Sequence, residues 1–377
     1  MKPGIIFRVF LWVASAAALL FLFSPFISLL LTERNRDHFY STVTFQVIAN
    51  RIAPAPEDKE KQAYQLFDYV RLNIFLPAGS LPYEGKPVDY LVKGVGWCDY
   101  MARVFNRLLA QRGIPARYAM MMPKEPGPSI HTLNEVYLKG KWAVFDPLPG
   151  VIFDDGRGDY YSLEEISADP SIRAKNRRVK AIRELAGQEN DFYATMFPIK
   201  YAPLRSEAVT QDIHIFDRIT MKYVDLFGRL FSDNYQDIYL SREAVSLEGA
   251  EKLFFLARNY DLYGRALKAE ETYKLLMQRY PASACADDAR FFLGMFYINQ
   301  LNGLESGKKT LEDLLAFYPD SSWRSQADFY LGIAYDRIGD RNRADSFFLD
   351  YSGFKLDTDT MLRLIQAKRK EINAINQ

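Results

Sequence analysis

The sequence predicts an α+β domain followed by an all-α helical-repeat domain, both behind an N-terminal transmembrane helix. Three observations predict this. The stretch Val9–Thr32 carries no charged residue. A pattern of helix, helix and then strands fills residues 58–150. After position 246, short signatures recur 37 or 38 residues apart. The length, 377 residues, suits two or three domains at roughly 100–200 residues each. Hydrophobic residues at 49% and charged residues at 25% exclude a chain disordered throughout. Lys+Arg of 48 against Asp+Glu of 47 leaves a net charge of +1, which offers nucleic acid no global attraction. Two cysteines, Cys98 and Cys285, exclude a disulfide scaffold. The histidines, His38, His131 and His214, are too scattered for a Cys/His zinc site, and no metal or other cofactor is expected.

The elements follow in order. Lys2 and Arg8 precede Val9–Thr32, which as a helix would span about 35 Å, enough for a hydrocarbon core of about 30 Å. That is longer than the apolar core of a cleaved signal peptide, so an uncleaved anchor is expected over residues 1–32. The slight positive bias places the amino terminus in the cytoplasm and the rest outside, as in a single-pass protein of a bacterial inner membrane. Residues 33–57 make a lead-in that ends in the Pro-rich joint Ala53-Pro54-Ala55-Pro56. Ala63, Leu66, Phe67, Val70 and Ile74 have helical spacing, closed by Leu76-Pro77. A second helix starts at Trp97-Cys98, buries Cys98, Met101, Ala102, Phe105, Leu108 and Leu109, and stops at Gly113 and Pro115. Strands are expected at 117–121, 131–138 and 142–145, with Lys139-Gly140 as a two-residue hairpin turn.

Residues 151–245 give a weaker signal, assigned to a helical extension. Ser162 with Glu165 has the spacing of a capping box. Arg173, Lys175, Arg177, Arg178, Lys180 and Arg183 form a basic run, expected as a solvated helix face. The run Asp154–Asp159 departs from the EF-hand pattern and is expected as a polar turn. Residues 246–377 hold the repeats. Leu256-Ala257, Leu293-Gly294 and Leu331-Gly332 mark three units, and Tyr280-Pro281 and Tyr318-Pro319 mark their joints. Ser283 and Ser322 are expected to cap the next helices. Gly332, Ala334, Gly339 and Ala344 are expected to let paired helices approach closely.

The chemistry gathers at three positions. Gly94-Val95-Gly96-Trp97-Cys98 turns the chain into a helix, so Cys98 sits in the first turn. Free amides and the helix dipole there favour a thiolate. With the hairpin closed at Lys139-Gly140, Leu133 faces Asp146, and His131, Leu133 and Asp146 share one face. His131 is then a diagonal neighbour of Asp146, within side-chain reach. If the second helix packs on that face, Cys98 points at them. Cysteine, histidine and an orienting acid are the parts of a nucleophilic site. Asn134 falls on the opposite face as a structural hydrogen-bonder, Glu135 is expected at the solvated rim, and Asp99 suits the positive end of the helix.

The segments GVGWCDYMARVFNRLLAQRGIPARYAMMM and HTLNEVYLKGKWAVFDPLPG resemble the transglutaminase-like superfamily over residues 57–150. The resemblance implies a papain-like fold, with Cys98 as nucleophile, His131 as general base and Asp146 as orienting acid. It further implies an oxyanion hole that uses the Cys98 amide. Trp97 precedes the cysteine, whereas animal transglutaminases place a tryptophan after theirs, and no motif supports calcium dependence. Residues 246–351 resemble tetratricopeptide repeats, which implies a protein or peptide partner. The expected activity is attack of Cys98 on an amide of a protein or peptide, completed by water or by an acceptor amine. The alternative is a non-catalytic, membrane-tethered scaffold that binds a partner through the repeats. A redox role has no Cys-x-x-Cys to support it, and both thiols are expected to stay free.

Overall fold

The computed structural model describes residues 3–28, 33–76, 85–123, 127, 129–186, 201–205, 215–227, 237, 240, 244, 247–299, 303–351 and 355–375. His214 and the chain around Pro77 lie outside them. Helix α1 covers Pro3–Ser28 and α2 covers Glu33–Ile52. Among the described residues, no helix is long and apolar enough to cross a membrane. The expected anchor extends past them at residues 29–32, and side chains of α1 are described only for residues 5–20. The lead-in is mostly helix rather than linker, because Tyr40, Phe45, Ile48 and Ala49 of α2 are buried in the core.

Helix α3 (Lys59–Asn73) starts at Asp58, whose carboxylate accepts from Lys61 N–H. It buries Ala63, Leu66, Phe67 and Val70, the stripe expected from spacing. Next come the short α4 (Pro87–Lys93) and α5 (Cys98–Gln111). The sheet is β1 (Ala116–Pro123), β2 (His131–Leu138), β3 (Lys141–Asp146) and β4 (Val151–Ile152). Helices α6 (Leu163–Ala168), α7 (Pro170–Lys175) and α8 (Arg177–Ala186) follow, then β5 (Tyr201–Arg205) and α9 (Ile215–Phe227). The five strands lie in the order β4-β3-β2-β1-β5, and every described pairing is antiparallel. The extension after residue 150 is therefore not purely helical, since it supplies β4 and the edge strand β5.

The β2–β3 hairpin closes as expected. Leu138 pairs with Lys141, and φ of +50° at Lys139 and +81° at Gly140 is the pattern of a type I′ turn. The Ser162–Glu165 capping box forms at the start of α6. Asp154 and Asp155 accept from the amides of Gly156, Arg157 and Asp159, a turn held by its own carboxylates. In the basic run, Arg173 and Arg178 reach the carbonyls of Ile166 and Pro149, and Val179, Ala181 and Ile182 are buried.

Three helical hairpins follow among the described residues, namely α10 with α11 (Gly249–Leu262, Ala266–Arg279), α12 with α13 (Ala286–Asn299, Leu304–Phe317) and α14 with α15 (Arg324–Ile338, Arg341–Asp350). Helix α16 (Thr358–Ile375) then packs on α8. A Cβ at Gly332 would meet the ring of Phe348, so a bare backbone lets α14 and α15 close. The expected serine caps do not form. The Ser283 hydroxyl donates back to the Tyr280 carbonyl, and α14 starts at Trp323 without a side-chain cap. The hairpins are not a free-standing array. Phe75, at the end of α3, packs against Phe291, Trp323 and Tyr330 at centroid distances of 5.3, 5.8 and 6.2 Å. Burying each such ring contributes about 1.5–3 kcal/mol. One apolar cluster thus runs from Leu133 and Val144 of the sheet through Phe75 into α12 and α14.

Candidate active site

Two chain segments converge ahead of Cys98. Gly94 ends α4 in the left-handed region (φ +68°), and a Cβ there would collide with the Phe292 ring. Only glycine fits both demands. The chain then pairs in parallel with the end of α3. Phe75 N–H donates to Gly94 O at 2.8 Å, and Gly96 N–H donates to Phe75 O at 2.9 Å. Trp97 is the extended N-cap residue of α5, and its carbonyl accepts from Tyr100 and Met101. Cys98 opens the helix, where the first amides have no intrahelical acceptor. Its side chain is partly exposed, and it is a free thiol.

Helix α5 packs on the opposite sheet face from the one expected. Asn134 of β2 donates to the Ala102 carbonyl at 2.9 Å and to Asn106 at 2.7 Å. Met101, Phe105 and Leu108 join Val136, Leu138 and Phe145 in the core. That face carries the even-numbered residues of β2, whereas His131 and Leu133 lie on the other. Both faces of the sheet are buried, so its apolar pattern cannot say which one takes the helix. Cys98 meets His131 from the end of α5 rather than from its buried stripe. Asn134 has the structural role expected for it.

His131 opens β2 opposite Met121, and Asp146 closes β3 opposite Val151. The two side chains are 2% and 0% exposed as residues and meet at 2.7 Å, from Nε2 to Oδ2. A carboxylate only accepts, so Nε2 carries a proton, and Nδ1 is left for the sulfur. Burial opposes charge on His131, but the charge and hydrogen bond of Asp146 outweigh it. A hydrogen bond with Cys98 adds to them, and the pKa rises to about 10. The other thiol differs. Burial, then Asp288, Glu251 and Asp287, push Cys285 up to about 11.

Glu135 is not at the rim. It is fully buried, and Arg117 and Arg205 hold its carboxylate at 2.8 and 2.6 Å. Sequence reasoning missed this clasp because Arg205 arrives on β5. It also missed Arg258 and Lys355, two buried basic side chains that reach from the helical region to α4 and α3. A charge among the apolar residues of α10 was the available signal for Arg258. Two clefts border the segment that leads to Cys98. A polar one of about 690 Å³ is lined by Lys86, Asp89, Asp99 and Arg103. An apolar one of about 560 Å³ lies between Leu76, Val95, Phe254 and Trp323. Among the described residues, no group of three or more His, Cys, Asp or Glu could hold a metal ion.

In comparison with known families, residues 46–147 fit the transglutaminase-like superfamily. The matched segment begins inside α2, earlier than the expected start at residue 57, and ends one residue after Asp146. It contains Cys98, His131 and Asp146. A transglutaminase-like domain points to thiol-dependent action on amides. No curated protein matches the chain.

Proposed function

We propose that the transglutaminase-like domain cleaves an amide of a protein or peptide through a Cys98 thioester. The observation that carries the reading is the buried His131–Asp146 pair, hydrogen-bonded at 2.7 Å, with Cys98 on the same imidazole. In this mechanism His131 carries the proton taken from Cys98, as its raised pKa favours, and Asp146 holds the ring and stabilises the imidazolium. The sulfur attacks the amide carbonyl carbon. The carbonyl oxygen takes the negative charge and accepts from the Cys98 N–H at the positive end of α5. The C–N bond then breaks, and His131 delivers its proton to the leaving amine. Water or a second amine attacks the thioester, His131 takes the proton from the attacker, and the thiol is restored. Water gives a peptidase or amidase, and an amine gives acyl transfer.

The wider placement is part of the same proposal. All described side chains of α1, residues 5–20, are exposed, and ten of them are large and apolar. An apolar helix exposed all round suits lipid. This supports the anchor read from Val9–Thr32, with the other domains on the outer side of an inner membrane. The hairpins expose Leu267 and Phe317 at 74% and 66%, which supports a protein partner there and leaves their likeness to tetratricopeptide repeats as part of the proposal. The domain limits proposed remain 58–150 for the catalytic core and 246–377 for the repeats.

The test is alkylation by iodoacetamide at graded pH, mapped by mass spectrometry. Cys98 should react at least tenfold faster than Cys285 at pH 6.5, and His131→Ala should erase the difference. Equal, slow labelling of both thiols would overturn the enzyme and leave the tethered scaffold.

A further inference from the structure

We propose that the helical region clamps the segment that delivers Cys98, and that Arg258 and Lys355 are positioning residues for the nucleophile. The proposal rests on the reading of Cys98 as nucleophile. Its working unit then extends well beyond residues 46–147.

Four carbonyls at two helix ends accept from Arg258 and Lys355. Arg258, on α10, donates from Nη2 to Leu91 O at 2.8 Å and from Nε to Val92 O at 2.9 Å. Both acceptors lie in the last turn of α4, a seven-residue helix. A helix that short has no stability of its own. Lys355 does the same for α3. Its Nζ donates to Ile74 O at 2.6 Å and also to Arg71 O. Arg71 returns a hydrogen bond, from Nη1 to Lys355 O, at 2.6 Å. C-terminal carbonyls form the negative end of a helix, so the Arg258 guanidinium suits the end of α4, while burial beside Arg71 pushes Lys355 well below the usual lysine range and leaves its amine as a donor to the end of α3.

The two capped helix ends are the strands of one small junction. The end of α3 supplies Phe75, the end of α4 supplies Gly94 and Val95, and these pair directly ahead of Cys98. Each of the two side chains also stacks on a ring at that junction. The Arg258 guanidinium lies 3.8 Å from the centroid of Phe292, the ring that fills the space beside Gly94. Lys355 Nζ lies 4.2 Å from the centroid of Phe75. Both side chains are buried, at 0% and 6% exposure. Adhesion between two layers does not require this, because a buried guanidinium and a buried amine cost more than apolar contacts that would serve as well. Fixing carbonyls in direction and distance does require donors. Reacting groups must hold their geometry to within about an ångström, and Cys98 lies only three residues beyond Val95.

The experiment uses the full chain and reads Cys98 alkylation against pH, with thermal melting in parallel. Arg258→Lys keeps the charge but cannot span both carbonyls, and Lys355→Met keeps the stem without the donors. Each should slow Cys98 labelling at pH 6.5 at least tenfold, shift its pH profile towards that of Cys285, and speed amide exchange at Gly94–Gly96. Arg363→Met is the comparison. It breaks pairs with Asp336 and Asp345 at 2.8 and 3.0 Å within the helical region and should leave the Cys98 profile unchanged. If the clamp variants melt lower yet keep the wild-type Cys98 profile, the two side chains are adhesive only and the proposal falls while the enzyme reading stands. If wild-type Cys98 labels no faster than Cys285, the enzyme reading itself falls.

Discussion

The β2–β3 hairpin and the helical clamp hold the same site by different means. His131 and Asp146 are 15 residues apart and meet because one tight turn sets their register. Arg258 stands 167 residues from the Leu91 carbonyl, and Lys355 stands 281 from that of Ile74. The hairpin is local, so its geometry is written in a few neighbouring side chains. The clamp depends on the whole chain having folded. The His131–Asp146 pair is thus built near in sequence, while the segment leading to Cys98 is held from far away.

The largest expected effect separates the two. Asp146→Asn should leave the turn intact but remove the charge that holds the imidazolium, so amide cleavage should fall on the order of 10³–10⁴-fold. Its pH profile sharpens the point. The folded pKa of His131 is raised from 6.5 to about 10, so the stabilisation from the pair is complete below about 6.5 and disappears as pH rises through about 10. Denaturant titrations from pH 6 to 11 should show that loss in the wild type and lack it in Asp146→Asn.

Next comes Phe75→Ala, which removes the ring shared by both layers. Denaturant unfolding should show a loss of about 3–5 kcal/mol. A loss below about 1 kcal/mol would mean that the hairpins and the sheet do not share a core. The smallest effect lies away from the site. His38 donates to Asp217 at 2.6 Å across α2 and α9. The Asp217 hydrogen bond raises the His38 pKa against the cost of burial, and burial of Asp217 is outweighed by His38 to leave its pKa lowered. The His38 contribution is therefore full below 6.5 and fades as pH rises through the higher folded value. The Asp217 contribution fades as pH falls below the ordinary carboxylate range. His38 is half exposed, so His38→Gln should cost less than about 1 kcal/mol near pH 6 and nothing measurable near pH 9.

Much of the site was legible because local rules carry it. Lys139-Gly140 dictated the turn, the turn dictated the register, and period-two alternation put His131 and Asp146 on one face. The helix start at Cys98 followed from the glycines before it. What was not legible depended on partners distant in sequence. The face chosen by α5 was ambiguous because β2 is buried on both sides. Glu135 resembled a rim residue until Arg205 arrived on a strand formed by residues 201–205. Arg258 and Lys355 bond to backbone carbonyls, so side-chain patterning could mark Arg258 as a charge on an apolar helix face but could not name the partner of either.

The reciprocal lacing of Arg71 and Lys355 has a consequence for how the molecule is made. A ribosome adds roughly 5–20 residues per second, so Cys98 emerges ten seconds or more before Lys355 exists. Through that interval the last turn of α3 lacks its cap and the thiol lacks its final setting. On the proposed reading, a newly made chain carries an unarmed sulfur past its neighbours until residue 355 has been added and has reached α3.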